Sequence, residues 1–221
     1  MAQATRTSTS SAGLSDDPIE NVTTWLQVNQ KPILAVVGIA AAAAIAIFGY
    51  RYMDGKKRAD ANAQLYRAAA PLAEGKLPEA AAGLERVATS FAGTASGTQA
   101  ALMLGQILYD QQKFPEGIAA LEKAKGSAGS DFGASIEALI ATGYEGQGKF
   151  DLAAEHYGKA AAAAKYPLDK AANQAAQARI LTTAGKATEA RKIWEELAKQ
   201  ENLPFAQEAQ VRLGELIGAG K

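Results

Sequence analysis

The sequence predicts an all-α protein: a single N-terminal transmembrane helix, then a solenoid of about four helix pairs, then a C-terminal capping helix. Three observations carry this prediction. An uncharged apolar run lies near the N-terminus, and four similar turns recur at nearly constant intervals through the rest of the chain. The segments between those turns are rich in alanine and other helix formers.

The first residues of the chain are expected to form a disordered tail, 1–16, because they are rich in Ser, Thr and Ala and have few large apolar groups. A short helix at the membrane surface is predicted over 17–31, where Asp17, Pro18 and Glu20 form a helix-start pattern. Trp25 and Lys31 are expected at the membrane interface. The alternative is an ordinary solvated segment.

The apolar run from Ile33 to Tyr50 has eighteen residues and no charge. As a helix it is about 27 Å long, close to a hydrocarbon core of about 30 Å. Tyr50, Arg51 and Tyr52 follow, and aromatic and basic side chains of this kind are typical of the membrane interface. The sequence therefore predicts a transmembrane helix over 32–52 and a juxtamembrane linker over 53–59.

Two other interpretations of this run remain open. A buried core helix is rarely uncharged on every side over such a length. A cleaved signal peptide has a shorter apolar region after a short basic start, whereas here 32 residues come first, with Asp16, Asp17 and Glu20 among them. The flanking charges place Arg6 and Lys31 before the run and a cluster from Arg51 to Arg58 after it. Counted literally, these charges favour a cytoplasmic C-terminal domain.

The composition excludes most catalytic chemistry. Of 221 residues, 48% are hydrophobic, and 23 basic residues balance 23 acidic ones, so the zero net charge argues against a nucleic-acid-binding surface. The chain has no cysteine and one histidine, His156, which we expect to be a solvated helix residue. We therefore predict no enzyme, no catalytic residue, no metal, no cofactor, no nucleic acid and no small-molecule substrate.

Four turns of one type set the period of the remaining chain, at intervals of 37, 36 and 37 residues. They are Gly75-Lys76-Leu77, Gln112-Lys113-Phe114, Gly148-Lys149-Phe150 and Gly185-Lys186-Ala187. A small residue follows each turn, and a large apolar residue comes four positions later: Ala80 and Leu84, Gly117 and Leu121, Ala153 and Tyr157, Ala190 and Trp194. Small residues suit helices that cross closely, and large ones fill the space between pairs.

These columns resemble the tetratricopeptide repeat, in which stacked helix pairs share one core. The second helix of each pair is expected to start with a first-turn proline or a capping side chain, at Pro78, Pro115, Asp151 and Thr188. Four such pairs, closed by a helix from Phe205 to Ile217, are predicted to occupy 60–217, followed by a tail over 218–221.

One stretch has the stem of a phosphate-binding loop, from Gly143 to Gly148 and Lys149. The motif next requires Ser or Thr, but the residue is Phe150, and the segment before it has helical spacing rather than strand spacing. We therefore interpret it as one more inter-helix turn.

The joining of an N-terminal membrane helix to such repeats resembles the YfgM-like family of ancillary Sec translocon subunits. The resemblance lies in the membrane exit from Phe48 to Tyr52 and in the stretch from Lys57 to Ala69 that enters the first repeat. It implies a bacterial inner-membrane, single-pass protein with a cytoplasmic N-terminus and a periplasmic repeat domain, against the literal charge count. It also implies, as partners, translocon components, periplasmic chaperones or client chains, besides the lipid bilayer.

The first helices of such pairs line a concave surface that takes a partner's helix or extended segment. The polar residues beside the packing columns are the expected protein-binding groove: Gln106, Tyr109, Asp110, Thr142, Glu145 and Arg179. Tyr109 is expected to contribute most, because aromatic residues dominate interface energetics. The predicted function is a protein-interaction scaffold at the translocon. The alternative is a structural accessory subunit of another inner-membrane complex.

Overall fold

The computed structural model describes residues 25–26 and 28–219, which contain helices and no strand. The α-helices are α1 (Gln30–Ala69), α2 (Leu77–Ser90), α3 (Ala95–Asp110), α4 (Phe114–Lys125), α5 (Gly133–Gly146), α6 (Phe150–Ala163), α7 (Pro167–Thr183), α8 (Ala187–Ala198) and α9 (Phe205–Ala219), with 3₁₀ turns at Ala70–Glu74 and Ser130–Phe132. The all-α prediction is confirmed. The predicted tail 1–16 and most of the predicted surface helix 17–31 lie outside the described residues.

The chain divides into two compact units, Met1–Asp54 and Gly55–Lys221. In the first, the described part is the apolar portion of α1. The boundary falls inside α1, so the residues predicted as a linker, 53–59, are helical instead. Helix formers such as Lys56, Lys57 and Arg58 explain this, since nothing in the stretch breaks a helix except Gly55.

The second unit is the predicted stack of helix pairs. Helix α3 pairs with α4, α5 with α6, and α7 with α8, and α9 packs on the last pair. At the N-terminal end, Leu65 and Ala68 of α1 are buried in one cluster with Ala80 and Leu84 of α2. The large-residue column lies in its core: Leu84, Leu121 and Trp194 are fully buried, and Tyr157 is 9% exposed. The buried residues form three apolar clusters along the stack, which contain Leu84, Leu121 and Trp194 respectively.

The four turns between paired helices have the same geometry. Gly75, Gln112, Gly148 and Gly185 all have positive φ, between 60° and 77°. At each turn this residue and the lysine after it donate backbone hydrogen bonds to the end of the preceding helix; Lys149 N, for example, lies 2.9 Å from Tyr144 O. These two hydrogen bonds satisfy the last backbone carbonyls of the first helix.

The second helix of each pair begins one residue earlier than predicted. The N-cap positions are Lys76, Lys113, Lys149 and Lys186, and none makes a side-chain capping bond. Asp151 and Thr188, predicted as possible caps, lie within the first turn instead. Because the tight turn itself sets the chain direction, the helix starts directly after the lysine.

The stretch that resembles a phosphate-binding loop serves helix packing. Gly143 and Gly146 lie on α5, where a Cβ at Gly143 would overlap the Tyr109 hydroxyl and one at Gly146 would overlap the Phe114 ring. The two rings lie 5.7 Å apart, centroid to centroid. The glycines therefore make room for aromatic side chains of the preceding pair.

Candidate functional site

A cleft of about 470 Å³ separates the first helices of the third and fourth pairs, α5 and α7. Its floor is formed by small side chains, and its upper rim carries polar and aromatic ones. The lining residues are Ser130, Asp131, Ala134, Ser135, Ala138, Ala163, Lys165, Tyr166, Asp169, Ala172 and Asn173. Ala134 and Ala138 of α5 and Ala172 of α7 keep the cleft open, because their short side chains leave the space between the two helices unfilled.

A polar cluster continues from this cleft toward the C-terminal ends of the same helices. The Tyr157 hydroxyl lies 3.3 Å from the Thr142 hydroxyl and donates to the Glu145 carboxylate at 3.2 Å. Burial raises the pKa of Tyr157, and the Glu145 carboxylate adds to that effect, so the hydroxyl stays a neutral donor. The two helices of the third pair, α5 and α6, are thus tied together through one tyrosine.

Arg179 of α7 belongs to the same cluster and is held by the capping helix. It donates two hydrogen bonds to the Glu208 carboxylate, at 2.7 and 2.6 Å. This contact raises the pKa of Arg179 and lowers that of Glu208. A paired guanidinium of this geometry is a fixed feature of the surface rather than a free charge. The cleft and the cluster of Thr142, Glu145, Tyr157, Arg179 and Glu208 are together called the groove below.

The structure therefore brings Thr142, Glu145 and Arg179 together. Gln106 and Asp110 lie on α3, where both side chains are exposed and the Gln106 amide donates to Asp110 at 3.1 Å. That bond joins residues four apart on one helix, so it orients the two side chains without linking them to another pair.

Tyr109 has a different position from the one predicted. It is buried, with only 6% of its surface exposed, and its hydroxyl has no hydrogen-bond partner among the described residues. The ring packs on Gly117 and Gly143, and burial raises its pKa. The prediction that Tyr109 is exposed for contact with a partner is wrong, because two glycines open a space for the ring inside the core.

His156 is also buried, so the prediction of a solvated histidine is wrong. Its Nδ1 lies 2.7 Å from Glu137 Oε2, and its ring stacks on Tyr144 with centroids 5.2 Å apart. Lys125 Nζ lies 2.5 Å from Glu137 Oε1. Burial alone would raise the pKa of Glu137, but the hydrogen bonds from Lys125 and His156 outweigh it and bring that pKa below its usual value.

This buried network joins α4, α5 and α6 and is structural in its geometry. Among the described residues, no Ser or Thr hydroxyl is bonded to His156, so none is placed there for it to activate as a nucleophile. Within residues 25–26 and 28–219, no group of three His, Asp or Glu side chains is arranged to hold a metal ion.

The predicted membrane-interface residues lie on and just before α1. Trp25, Tyr50 and Tyr52 are more than half exposed, and Lys31 and Arg51 are exposed as well. None of the most apolar window of this helix is buried. By length and composition the helix is suitable either as a membrane span or as a signal sequence.

Two polar residues of the groove and its alanine lining were not predicted from the sequence. Tyr157 was assigned only to the packing column, and Glu208 only to the capping helix. The hydroxyl group of Tyr157 could have indicated its role, because the equivalent positions in the other pairs hold side chains without a hydroxyl: Leu84, Leu121 and Trp194. The alanine floor had no signal of its own in a chain this rich in alanine.

The sequence matches a family model described as a tetratricopeptide repeat-like domain over residues 23–216. No curated protein matches. One similar solved structure is a Podosopora anserina protein described as a kinesin light chain with nearly identical TPR-like repeats (TM-score 0.56, 20% identity, 72% of this chain and 86% of that one). Another is a tetratricopeptide repeat protein from Parabacteroides merdae (TM-score 0.57, 15% identity, 72% and 60%). At these identities the likeness concerns the fold.

Proposed function

Because this chain belongs to the tetratricopeptide repeat-like domain family, we propose that it is a membrane-anchored scaffold that binds another polypeptide in the groove. The repeat fold of this family is a type of protein-interaction scaffold and not an enzyme family. The observation that carries the proposal is the open cleft between α5 and α7, which continues into a cluster of fixed polar groups. Gln106 and Asp110 on the neighbouring α3 would extend this surface.

Membrane anchoring is supported by the exposure of the apolar part of α1. An uncharged helix with none of that window buried exposes far more apolar surface than a water-soluble protein tolerates. The proposed span is 32–52, with Tyr50, Arg51 and Tyr52 at one interface and Trp25 and Lys31 toward the other. The proposed repeat domain is 60–217, followed by the tail 218–221.

The finer proposal is an accessory of the Sec translocon and the periplasmic chaperone network, in the bacterial inner membrane. It rests on the resemblance to the YfgM-like family, which places the N-terminus in the cytoplasm and the repeats in the periplasm. The partners would be translocon components, periplasmic chaperones or newly translocated chains.

Photo-crosslinking in native membranes tests the groove. A photoreactive amino acid at Ser135, on the cleft wall, should capture such partners, whereas the same group at Glu116, exposed on α4, should not. Capture at Glu116 alone, or at neither position, contradicts the groove. A partner that instead co-purifies at fixed stoichiometry in mild detergent would favour a structural subunit of another membrane complex.

Orientation has a direct test, since the chain contains no cysteine. A single cysteine introduced as Glu201→Cys, in the exposed loop before α9, should react with an impermeant maleimide on intact spheroplasts, and Thr7→Cys should react only after lysis. The reverse pattern would place the repeats in the cytoplasm, as the flanking charges suggest.

A further inference from the structure

We infer that the groove takes a basic segment of its polypeptide partner, with two Lys or Arg side chains about five residues apart. This inference rests on the proposed function and adds the chemical class of the partner. It starts from the pairing of charges along α5 and α7.

The groove contains four carboxylates and only two cations. Both cations are already paired: Lys165 Nζ lies 2.9 Å from Asp131 Oδ1, and Arg179 binds Glu208 through two nitrogens. Arg212, next to the groove on α9, is shared between Glu208 and Glu215. Both cations of the groove, and Arg212 beside it, therefore have their acidic partners within the protein.

Two groove carboxylates form no ion pair within 4.0 Å in the described part of the chain, although Arg179 is close enough to Glu145 to interact with it electrostatically. Glu145 accepts a hydrogen bond from the Tyr157 hydroxyl, and among the described residues no Lys or Arg nitrogen lies within 4.0 Å of it. The same holds for Asp169, an exposed residue on the rim of the cleft. The groove thus presents two negative charges to a ligand, with Asp110 on α3 as a third nearby along the stack.

The distance between these two carboxylates sets the spacing of the ligand's charges. Asp169 and Ser135 both line the cleft, and Ser135 precedes Glu145 by ten residues on α5. Ten helical residues span about 15 Å. An extended chain covers that distance in about five residues, at about 3.3 Å each.

An acidic segment is the less favourable occupant. It would have to displace Glu208 from Arg179 or Asp131 from Lys165, and it would meet the unpaired charges of Glu145 and Asp169. Like charges brought together in this way are a general means of rejecting a wrong partner.

Peptide binding to the full chain in mild zwitterionic detergent tests this inference. The probe is a short fluorescent Ala/Ser peptide with two lysines five residues apart, and matched peptides carry glutamine or glutamate at those positions. Fluorescence anisotropy should show the lysine peptide binding about tenfold more tightly than the glutamine one, since each exposed ion pair adds only a few-fold. Raising the salt concentration should reduce that difference.

The variant Glu145→Gln with Asp169→Asn should weaken lysine-peptide binding about tenfold and leave glutamine-peptide binding unchanged. Glutamine at 145 can still accept the Tyr157 hydrogen bond, so the fold should persist, as circular dichroism can verify. The matched control, Glu79→Gln with Glu116→Gln, removes two exposed carboxylates from first turns elsewhere and should change neither affinity.

Equal binding of the glutamine or glutamate peptide would overturn the inference, as would unchanged lysine-peptide affinity in the groove variant. Its failure is distinguishable from failure of the proposed function. If Ser135 crosslinks partners in membranes while lysine gives no preference, the groove binds polypeptide without this charge rule. If Ser135 captures nothing, the proposed function itself is wrong, and this inference with it.

Discussion

Two buried tyrosines of this chain differ in what their hydroxyl groups do. Tyr109 lies in the core, and its hydroxyl is bonded to none of the described residues, whereas the Tyr157 hydroxyl contacts Thr142 and Glu145. A buried hydroxyl without a partner costs free energy, and one with two partners contributes stability. The same chemical change at the two positions should therefore have opposite effects.

We expect Tyr109→Phe to raise the free energy of unfolding by up to about 1 kcal/mol, and Tyr157→Phe to lower it by about 1 kcal/mol. Urea unfolding of the full chain in mild detergent, followed by circular dichroism at the helix band, measures both. Groove binding should also be unaffected by Tyr109→Phe. A clear loss of stability in that variant would mean that the Tyr109 hydroxyl has a partner after all.

Glu137 provides a pH-dependent part of the stability. Because its pKa in the folded chain is lowered, the folded state holds this proton less tightly than the unfolded one, and acidification favours unfolding. The contribution is fully present above the unfolded pKa, about 4.3, and is lost as the pH falls through the folded pKa.

We therefore expect Glu137→Gln to lower the free energy of unfolding at neutral pH by about 2 kcal/mol, since hydrogen bonds to a charged group are lost. The difference from the parent chain should shrink below about pH 4. Glu122→Gln is the matched control, because Glu122 meets the same Lys125 at 3.8 Å but is exposed; its effect should stay below about 0.5 kcal/mol. A constant difference across pH would contradict this role of the carboxylate.

At the scale of the element, the inter-helix turns are the most regular feature of the molecule. Three have glycine at the left-handed position, and the fourth has Gln112 with φ 60°. A residue with a Cβ is strained there by about 1 kcal/mol relative to glycine. The turn after α3 therefore carries strain that the other three do not.

We expect Gln112→Gly to raise the free energy of unfolding by up to about 1 kcal/mol, and Gly148→Ala to lower it by about 1 kcal/mol. The Gln112 side chain is exposed, and a Cβ at Gly148 would have no atom within 4 Å, so neither substitution changes the packing much. Thermal unfolding of the two variants beside the parent chain measures the shifts. Equal responses would mean that the turn conformation does not limit stability.

Element positions were predictable wherever the chain carried a repeated chemical signal. The four turns, the small and large columns and the capping helix follow from spacing, and the structure has them where spacing puts them. The second helix of each pair starts one residue before the predicted position, because the turn itself, rather than a capping side chain, sets where the helix begins. The predicted linker over 53–59 is helical, because one glycine, Gly55, does not break a helix made of strong formers.

At the scale of the whole molecule, the stack needs closure at its C-terminal end. Ala209 of α9 is fully buried against the last pair, in the cluster that contains Trp194 and Leu197. We expect Ala209→Asp to lower the free energy of unfolding by about 3 kcal/mol or more, because it places an unpaired charge in that core. Gln210→Asp, on the exposed side of the same helix, should cost less than about 0.5 kcal/mol in the same urea experiment.

The candidate site was only partly predictable, and the errors share one cause. Thr142, Glu145 and Arg179 were found because they are polar at fixed positions within a repeat. The burial of Tyr109 and His156 depends on two pairs jointly: Gly143 of one pair admits a ring of another, and Glu137 receives both Lys125 and His156. A pattern read within a single repeat contains no such information.

The packing of Tyr109 and Phe114 on Gly143 and Gly146 also limits how the repeats of this chain can be reordered in evolution. Gene duplication can copy a helix pair, and the shared corner geometry would let the copy connect without strain. In the described stack, however, glycines make room for these two aromatic rings only between the second and third pairs. If the repeats were reordered, these rings would clash with a side chain at the new junction. The order of the second and third pairs is therefore fixed by this packing.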